Sequence, residues 1–176
     1  MSITFETKLS KKIQGLRIIT PSVFEESRGS IWTSYNSEQL ETYLPEGLFF
    51  KHDKFSCSKH NVLRGIHGDN KSWKLVSCIS GSIMQVVVDM RPSSSTYLAH
   101  ECFDLGSHNH QMILIPPKLG NAFYVYSESA IYHYKLAYQG DYADYDQQFT
   151  VAWNDPRLKI NWPTLNPILS ERDSRL

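Results

Sequence analysis

The 176-residue chain is predicted to be all-β, an antiparallel sandwich or barrel, and three features carry that prediction. Short runs rich in β-branched and aromatic residues recur at near-regular spacing. Glycine, proline and serine interrupt them, at Gly81, Pro92, Gly106, Pro116-Pro117, Gly120 and Gly140. One segment alone has clear helical character. Many short strands punctuated in this way suit a closed or sandwiched antiparallel architecture.

Taken in order, residues 13–20 form a β-branched run closed by Pro21, and residues 29–35 alternate bulky and small side chains. Between them Glu25-Glu26-Ser27-Arg28-Gly29 is polar and ends on glycine. Such a turn leaves Arg28 in solvent or aims its guanidinium into a pocket or another subunit. Residues 37–43 combine a capping residue with good helix formers and stop at Leu44-Pro45, which predicts a short helix. Strands are expected at 48–56, 62–67, 74–80, 82–90, 99–105, 111–115, 122–126, 130–138 and 149–153. The proline-broken tail from Asn154 is expected to wrap the sheet. No repeat, linker or low-complexity tract divides the chain, so residues 1–176 are read as a single domain.

Composition narrows the function. With 41% hydrophobic residues the chain can bury a substantial core. Eighteen basic residues balance eighteen acidic ones, which argues against a nucleic-acid or membrane-surface partner. Cys57, Cys78 and Cys102 are odd in number and lack a CxxC pair, as expected of buried thiols in a reducing compartment. The N-terminus has no basic start followed by an apolar core, and no apolar run is long enough to span a bilayer. A cytoplasmic location is expected.

The chemistry centres on Asn61-Val62-Leu63-Arg64-Gly65-Ile66-His67-Gly68-Asp69. Strict strand alternation puts Arg64 and His67 on opposite faces, so a common cavity needs Gly65 or a bulge to re-aim one of them. His108-Asn109-His110 has a metal-ligand spacing but follows Gly106-Ser107 in a turn, and a surface loop is the preferred reading. Phosphate-binding glycine loops and a GxSxG elbow are absent from the sequence, which excludes nucleotide hydrolysis, Rossmann redox chemistry and serine-hydrolase chemistry. What remains is a set of polar residues within apolar strands: His52, Lys54, Arg64, His67, Lys74, Tyr134 and Lys135, with Asp173 near the end. Histidine, tyrosine and lysine in one barrel mouth supply a base near neutral pH, a phenolic acid and an electrophilic cation.

The colinear pattern Arg28-Gly29, Leu63-Arg64-Gly65-Ile66-His67, Lys74-Leu75-Val76, Gly81, Val88-Asp89-Met90-Arg91, Ile115-Pro116, Tyr134-Lys135, Trp153-Asn154-Asp155-Pro156, Trp162-Pro163 and Leu169-Ser170-Glu171-Arg172-Asp173 resembles the dTDP-4-dehydrorhamnose 3,5-epimerase family of nucleotide-sugar epimerases. The resemblance implies a cupin-like antiparallel β jelly roll with short peripheral helices, and a homodimer that exchanges N-terminal strands. It also implies that no metal or organic cofactor is used. By position it makes His67 the general base, Asp173 its orienting carboxylate, Tyr134 the acid and Lys74 the partner of the enolate oxygen. Arg64 and Arg28 become the diphosphate contacts.

Departures from the family pattern remodel the pocket. The usual Tyr-Gln after the histidine is Gly68-Asp69, with a shorter connection to Lys74. A Gln and an Asn before the histidine strand become His52 and Lys54, and a histidine position becomes Asn121. These three are read as substrate-binding. The variants resemble epimerases acting on GDP-4-keto-6-deoxy-heptose in capsule biosynthesis, which is the preferred substrate expectation. A dTDP-4-keto-6-deoxyglucose 3,5-epimerase and a 3,4-ketoisomerase on the same fold are the alternatives, and inversion at C3, C5 or both stays open.

Overall fold

The computed structural model describes residues 3–175. Its strands are β1 (Phe5–Leu9), β2 (Arg17–Pro21), β3 (Val23–Glu26), β4 (Gly29–Trp32), β5 (Phe50–Lys59), β6 (Leu63–Gly68), β7 (Trp73–Ser80), β8 (Ser82–Asp89), β9 (His100–Gly106), β10 (Met112–Ile115), β11 (Leu119–Val125), β12 (Ser129–Ala137) and β13 (Phe149–Thr150). Two short helices, α1 (Ser37–Leu40) and α2 (Glu171–Ser174), lie outside them. Asn36 caps α1 by accepting the Gln39 N–H, and a 3₁₀ turn, Glu41–Tyr43, extends it.

The strands form a six-stranded sheet in the order β1-β2-β10-β7-β12-β5 and a five-stranded sheet in the order β13-β6-β11-β8-β9, with β3 and β4 as a separate hairpin. From β5 onward the chain passes repeatedly between the two sheets, and every strand pairing is antiparallel. This is the expected jelly roll.

Period-two alternation assigns each strand an inner and an outer face. Inner residues Val76, Ile83, Val87, Ile113, Phe123 and Tyr132 form the core between the sheets. Leu75, Met112 and Leu114 on the outer face of the six-stranded sheet pack with Leu40 and Leu44 from the helical segment. Leu63, Ile66, Val86 and Tyr124 on the outer face of the five-stranded sheet pack with Leu158, Trp153, Trp162 and Leu169 of the C-terminal segment.

Several local features differ from the sequence reading. Strands β1 and β3 were not anticipated; the polar Phe-Glu-Thr-Lys-Leu segment is extended because it pairs residue for residue with β2. Gly120 lies within β11 rather than interrupting it. A Cβ there would come within 2.4 Å of the Ile66 side chain, so glycine marks close packing here and not a turn. Of the cysteines, Cys78 is buried but Cys57 and Cys102 are exposed, because alternation turns both away from the core. His110 stacks on Trp32 with ring centroids 3.8 Å apart, while His108 lies 3.5 Å from Asp104, and these contacts support the loop reading.

Asp89, fully buried at the end of β8, anchors the turn that follows. Its carboxylate accepts from Arg91 Nε and Nη2 (both 2.8 Å), Ser94 Oγ (2.7 Å), Thr96 Oγ1 (2.6 Å) and the Arg91 backbone N–H (3.0 Å). Burial alone raises a carboxyl pKa, but these donors reverse the effect and hold Asp89 far below the usual range. A depressed folded-state pKa contributes stability above the unfolded value, near pH 4, and that contribution is lost as pH falls toward the folded value. Asp89→Asn should therefore cost about 3 kcal/mol at pH 7, the scale for breaking a buried ion pair. Thermal melts should show a Tm roughly 6–12 °C lower, with the deficit shrinking in acid.

Candidate active site

A cavity of about 430 Å³ opens between the sheets. Inner residues of β5, β7 and β12 line one wall, those of β6 and β11 the other, and residues 168–170 with Asp173 close one side. Phe123 and Tyr132, stacked with centroids 4.3 Å apart, also line it, where the cavity meets the apolar core.

Strand β6 contains the bulge that the Arg64–His67 spacing requires. Asn121 pairs with His67 and Phe123 with Arg64, so two steps along β11 match three along β6. Gly65 takes the extra position at φ +115°, and a Cβ there would approach Asn121 O to 2.5 Å and Ala122 Cβ to 2.6 Å. Arg64 and His67 consequently both line the cavity, while Ile66 packs outward.

His67 Nε2 lies 2.5 Å from Asp173 Oδ1. The carboxylate is 2% exposed and also accepts from Ser170 Oγ (2.9 Å) and the Gly65 N–H (3.5 Å). Ser170 is in turn the N-cap of α2, accepting the Asp173 N–H, so the cap fixes the carboxylate behind the imidazole. Burial pushes the Asp173 pKa up, yet its bond to His67, the imidazole charge, Ser170 and Gly65 together bring it below normal. An ionised Asp173 keeps the imidazole proton on Nε2 and leaves Nδ1 as the basic nitrogen.

Tyr134 lines the cavity from β12, in the sheet opposite His67. Burial raises its phenol pKa, and the positive charges of Lys54 and Arg64 offset this only in part, so the hydroxyl stays protonated near neutral pH. Lys74, 9% exposed, lies 3.3 Å from Asp69. Arg64 Nε donates to Ser58 Oγ at 3.0 Å, and no carboxylate among the described residues lies within ion-pair distance of its guanidinium. A cavity arginine without a protein counter-charge suits an anionic group.

Asn121 also lines the cavity, and a buried network fixes its orientation. Gln85 Nε2 donates to Val86 O (3.0 Å) and Asn121 Oδ1 (2.6 Å), while Gln85 Oε1 accepts from Tyr132 OH (2.9 Å). Because Val86 O can only accept, the amide orientations follow, leaving the Asn121 NH₂ to donate elsewhere.

Three sequence-predicted site residues lie elsewhere. His52 and Lys54 do not line the cavity; both pack on Tyr142, which does. Lys54 Nζ sits 3.9 Å from that ring centroid, and His52 meets it edge-on at 5.1 Å while its Nδ1 bonds Tyr138 OH at 3.0 Å. Arg28 sits beside the β3–β4 turn, largely exposed and bonded to Glu26, away from the cavity of its own chain. Lys135 points to the outer face and pairs with Asp53 at 2.8 Å.

Sequence reading missed Asp69, Ser170, Gln85 and Tyr132. For Ser170 the signal was present, since Ser-x-x-Asp just before the terminus has the spacing of a helix cap. Gly68 has a specific reason as well. A Cβ there would come within 2.2 Å of the Phe149 ring, which fills the space a side chain would take.

An imidazole backed by a buried carboxylate, a protonated phenol on the opposite wall, a buried ammonium and a guanidinium without a carboxylate partner suit proton transfer on an anionic substrate. On a cupin-like jelly roll they define an acid–base enzyme.

Comparison with known proteins gives the family. Residues 10–176 match the family model for dTDP-4-dehydrorhamnose 3,5-epimerase. The chain is 35% identical over 169 residues to the dTDP-4-dehydrorhamnose 3,5-epimerase of Escherichia coli, covering 94% of this chain and 90% of that one. It is 34% identical to the Pseudomonas aeruginosa enzyme of the same name, covering 89% and 86%. A Legionella pneumophila dTDP-6-deoxy-D-glucose-3,5-epimerase solved with dTDP-4-keto-L-rhamnose superposes with a TM-score of 0.87 at 30% identity, covering 99% and 91%. NovW, a 4-keto-6-deoxy sugar epimerase from Streptomyces spheroides, superposes at 0.88 with 29% identity, covering 97% and 85%. The chain belongs to the dTDP-4-dehydrorhamnose 3,5-epimerase family and is an isomerase. The expected GDP-heptose preference finds no support in these relatives, whose names fit the dTDP alternative better.

Proposed function

We propose that the chain inverts C3, C5 or both in a nucleotide-diphosphate-linked 4-keto-6-deoxy sugar, with dTDP-4-keto-6-deoxyglucose as the foremost substrate. The observation that carries this reading is the 2.5 Å His67–Asp173 contact in a cavity that Tyr134 also lines from the other sheet. The 4-ketone acidifies the hydrogens on C3 and C5. His67 takes one of them; the C–H electron pair becomes the enolate double bond, and the carbonyl π pair moves to oxygen, where Lys74 stabilises it. Tyr134 then protonates the same carbon from the opposite face, and the C4 carbonyl re-forms. His67 then releases its proton to solvent and the Tyr134 phenolate takes one up, so electrons and protons balance without a redox cofactor.

Arg64 holds the diphosphate, and the Asn121 amide donates to a sugar oxygen. His52 and Lys54 act through Tyr142 at the rim. Arg28 serves the cavity of a second copy: its hairpin exposes Val23, Phe24 and Ile31, an apolar surface suited to pairing within a homodimer.

The test is product NMR after incubation with dTDP-4-keto-6-deoxyglucose and, separately, a GDP-linked 4-keto-6-deoxy-heptose. Inversion with the ketone carbon still at C4 is expected, faster with the thymidine substrate. A carbonyl moved to C3 would establish a ketoisomerase instead, and no reaction with either sugar would refute the reading. Faster turnover of the GDP sugar would restore the heptose expectation.

A further inference from the structure

We infer that Asp69 is a positioning residue that keeps the buried Lys74 ammonium charged and fixed in the cavity; the inference rests on Lys74 acting at the ketone oxygen. The two oxygens of Asp69 have separate tasks. Oδ1 accepts the backbone N–H groups of Lys71 (3.0 Å) and Ser72 (2.6 Å) and so ties the turn between β6 and β7. Oδ2 lies 3.3 Å from Lys74 Nζ. A residue needed only as a turn anchor requires the first oxygen alone. The second meets the cation inside the cavity that both residues line.

The surroundings explain why Lys74 needs this partner. It is buried, and burial, the largest influence, favours the neutral amine. The guanidinium of Arg172 on α2, held by Thr150 and Gln148, repels the ammonium as well. Its neighbours on β10 and β12, Ile115 and Leu136, carry no charge. Around the same cavity His67 is paired with Asp173, Tyr134 is a neutral phenol and Arg64 is a further cation. Asp69 is therefore the nearby anion that opposes loss of the proton. Its own pKa is pushed up by burial but brought below normal by Lys74 and the two turn N–H groups, as expected of a carboxylate engaged on both sides.

Asp69→Asn tests this closely, because the amide oxygen can keep the turn bonds while the charge beside Lys74 disappears. Lysine side-chain ¹⁵N NMR of the free protein should show the Lys74 titration falling by about one pH unit or more. The high-pH limb of the kcat profile should move with it, giving about tenfold slower turnover than wild type near that limb while KM changes little. An unchanged Lys74 titration, whatever happens to Tm, overturns the role of Asp69. The NMR reading needs no turnover, so it stands even where the epimerase reading fails. A moved titration with an unmoved kcat limb supports the coupling and rejects Lys74 as the electrophile. Should Asp69→Asn fail to fold, the coupling is readable from the other side by reciprocity. In Lys74→Met the Asp69 carboxyl, followed by ¹³C NMR, should titrate about one unit higher, and an unchanged value overturns the proposal.

Discussion

His67→Asn should lower kcat by about 10³-fold or more, equivalent to about 4 kcal/mol of barrier, while KM stays within a few-fold. The size follows from the site's construction. On this reading His67 is the base on its wall of the cavity, with its remote nitrogen committed to Asp173 so that the other faces the substrate. The asparagine amide reaches only about as far as Nδ1, so Asp173, which His67 meets through Nε2, keeps Ser170 Oγ and the Gly65 N–H as its donors. The variant should still fold, with a Tm a few degrees below wild type for the donor that the buried carboxylate loses. Arg64 and Asn121, which are proposed to bind the substrate, are untouched, which is why the loss belongs in kcat. Activity within tenfold of wild type would show that another group removes the proton.

Tyr134→Phe should separate exchange from inversion. The variant keeps the ring in the cavity and its packing with Tyr132, at 5.8 Å between centroids, but has no acid on that wall. His67 can still remove the proton and return one to the same face. Net inversion should fall by about 10²-fold or more, while solvent deuterium still enters the substrate with its configuration retained. A parallel loss of exchange and inversion would instead give Tyr134 a part in the first proton transfer, and no loss would remove it from the mechanism.

How much of this was readable beforehand depends on the range of the interaction. Alternation is local, so the short strands and the need for an extra residue between Arg64 and His67 were legible from spacing, and Gly65 does supply it. Lys74, Tyr134 and Asn121, picked out as polar residues within apolar strands or as a departure from the family pattern, line the cavity because each lies on an inner face. The approach of Asp173 to His67 spans 106 residues of sequence, and only the family resemblance pointed to it. Asp69 was noticed as a departure from the family pattern but not as the partner of Lys74, since the pair forms only when the β6–β7 turn folds back. His52 and Lys54 fall outside the cavity lining for a related reason. They do face inward on β5, but Tyr142 from a distant loop covers them, and a loop's path is not encoded in strand periodicity. The strand character of β1 likewise comes from its partner and not from its own polar residues.

The proton-transfer account is tested most directly by running the wild-type reaction in D₂O and locating the isotope in the product by NMR and mass spectrometry. Each inverted carbon should carry one deuteron drawn from solvent, and C4 should remain the carbonyl. Inversion that leaves the original hydrogen on the inverted carbon would contradict the account, because no imidazole at residue 67 could then have exchanged it.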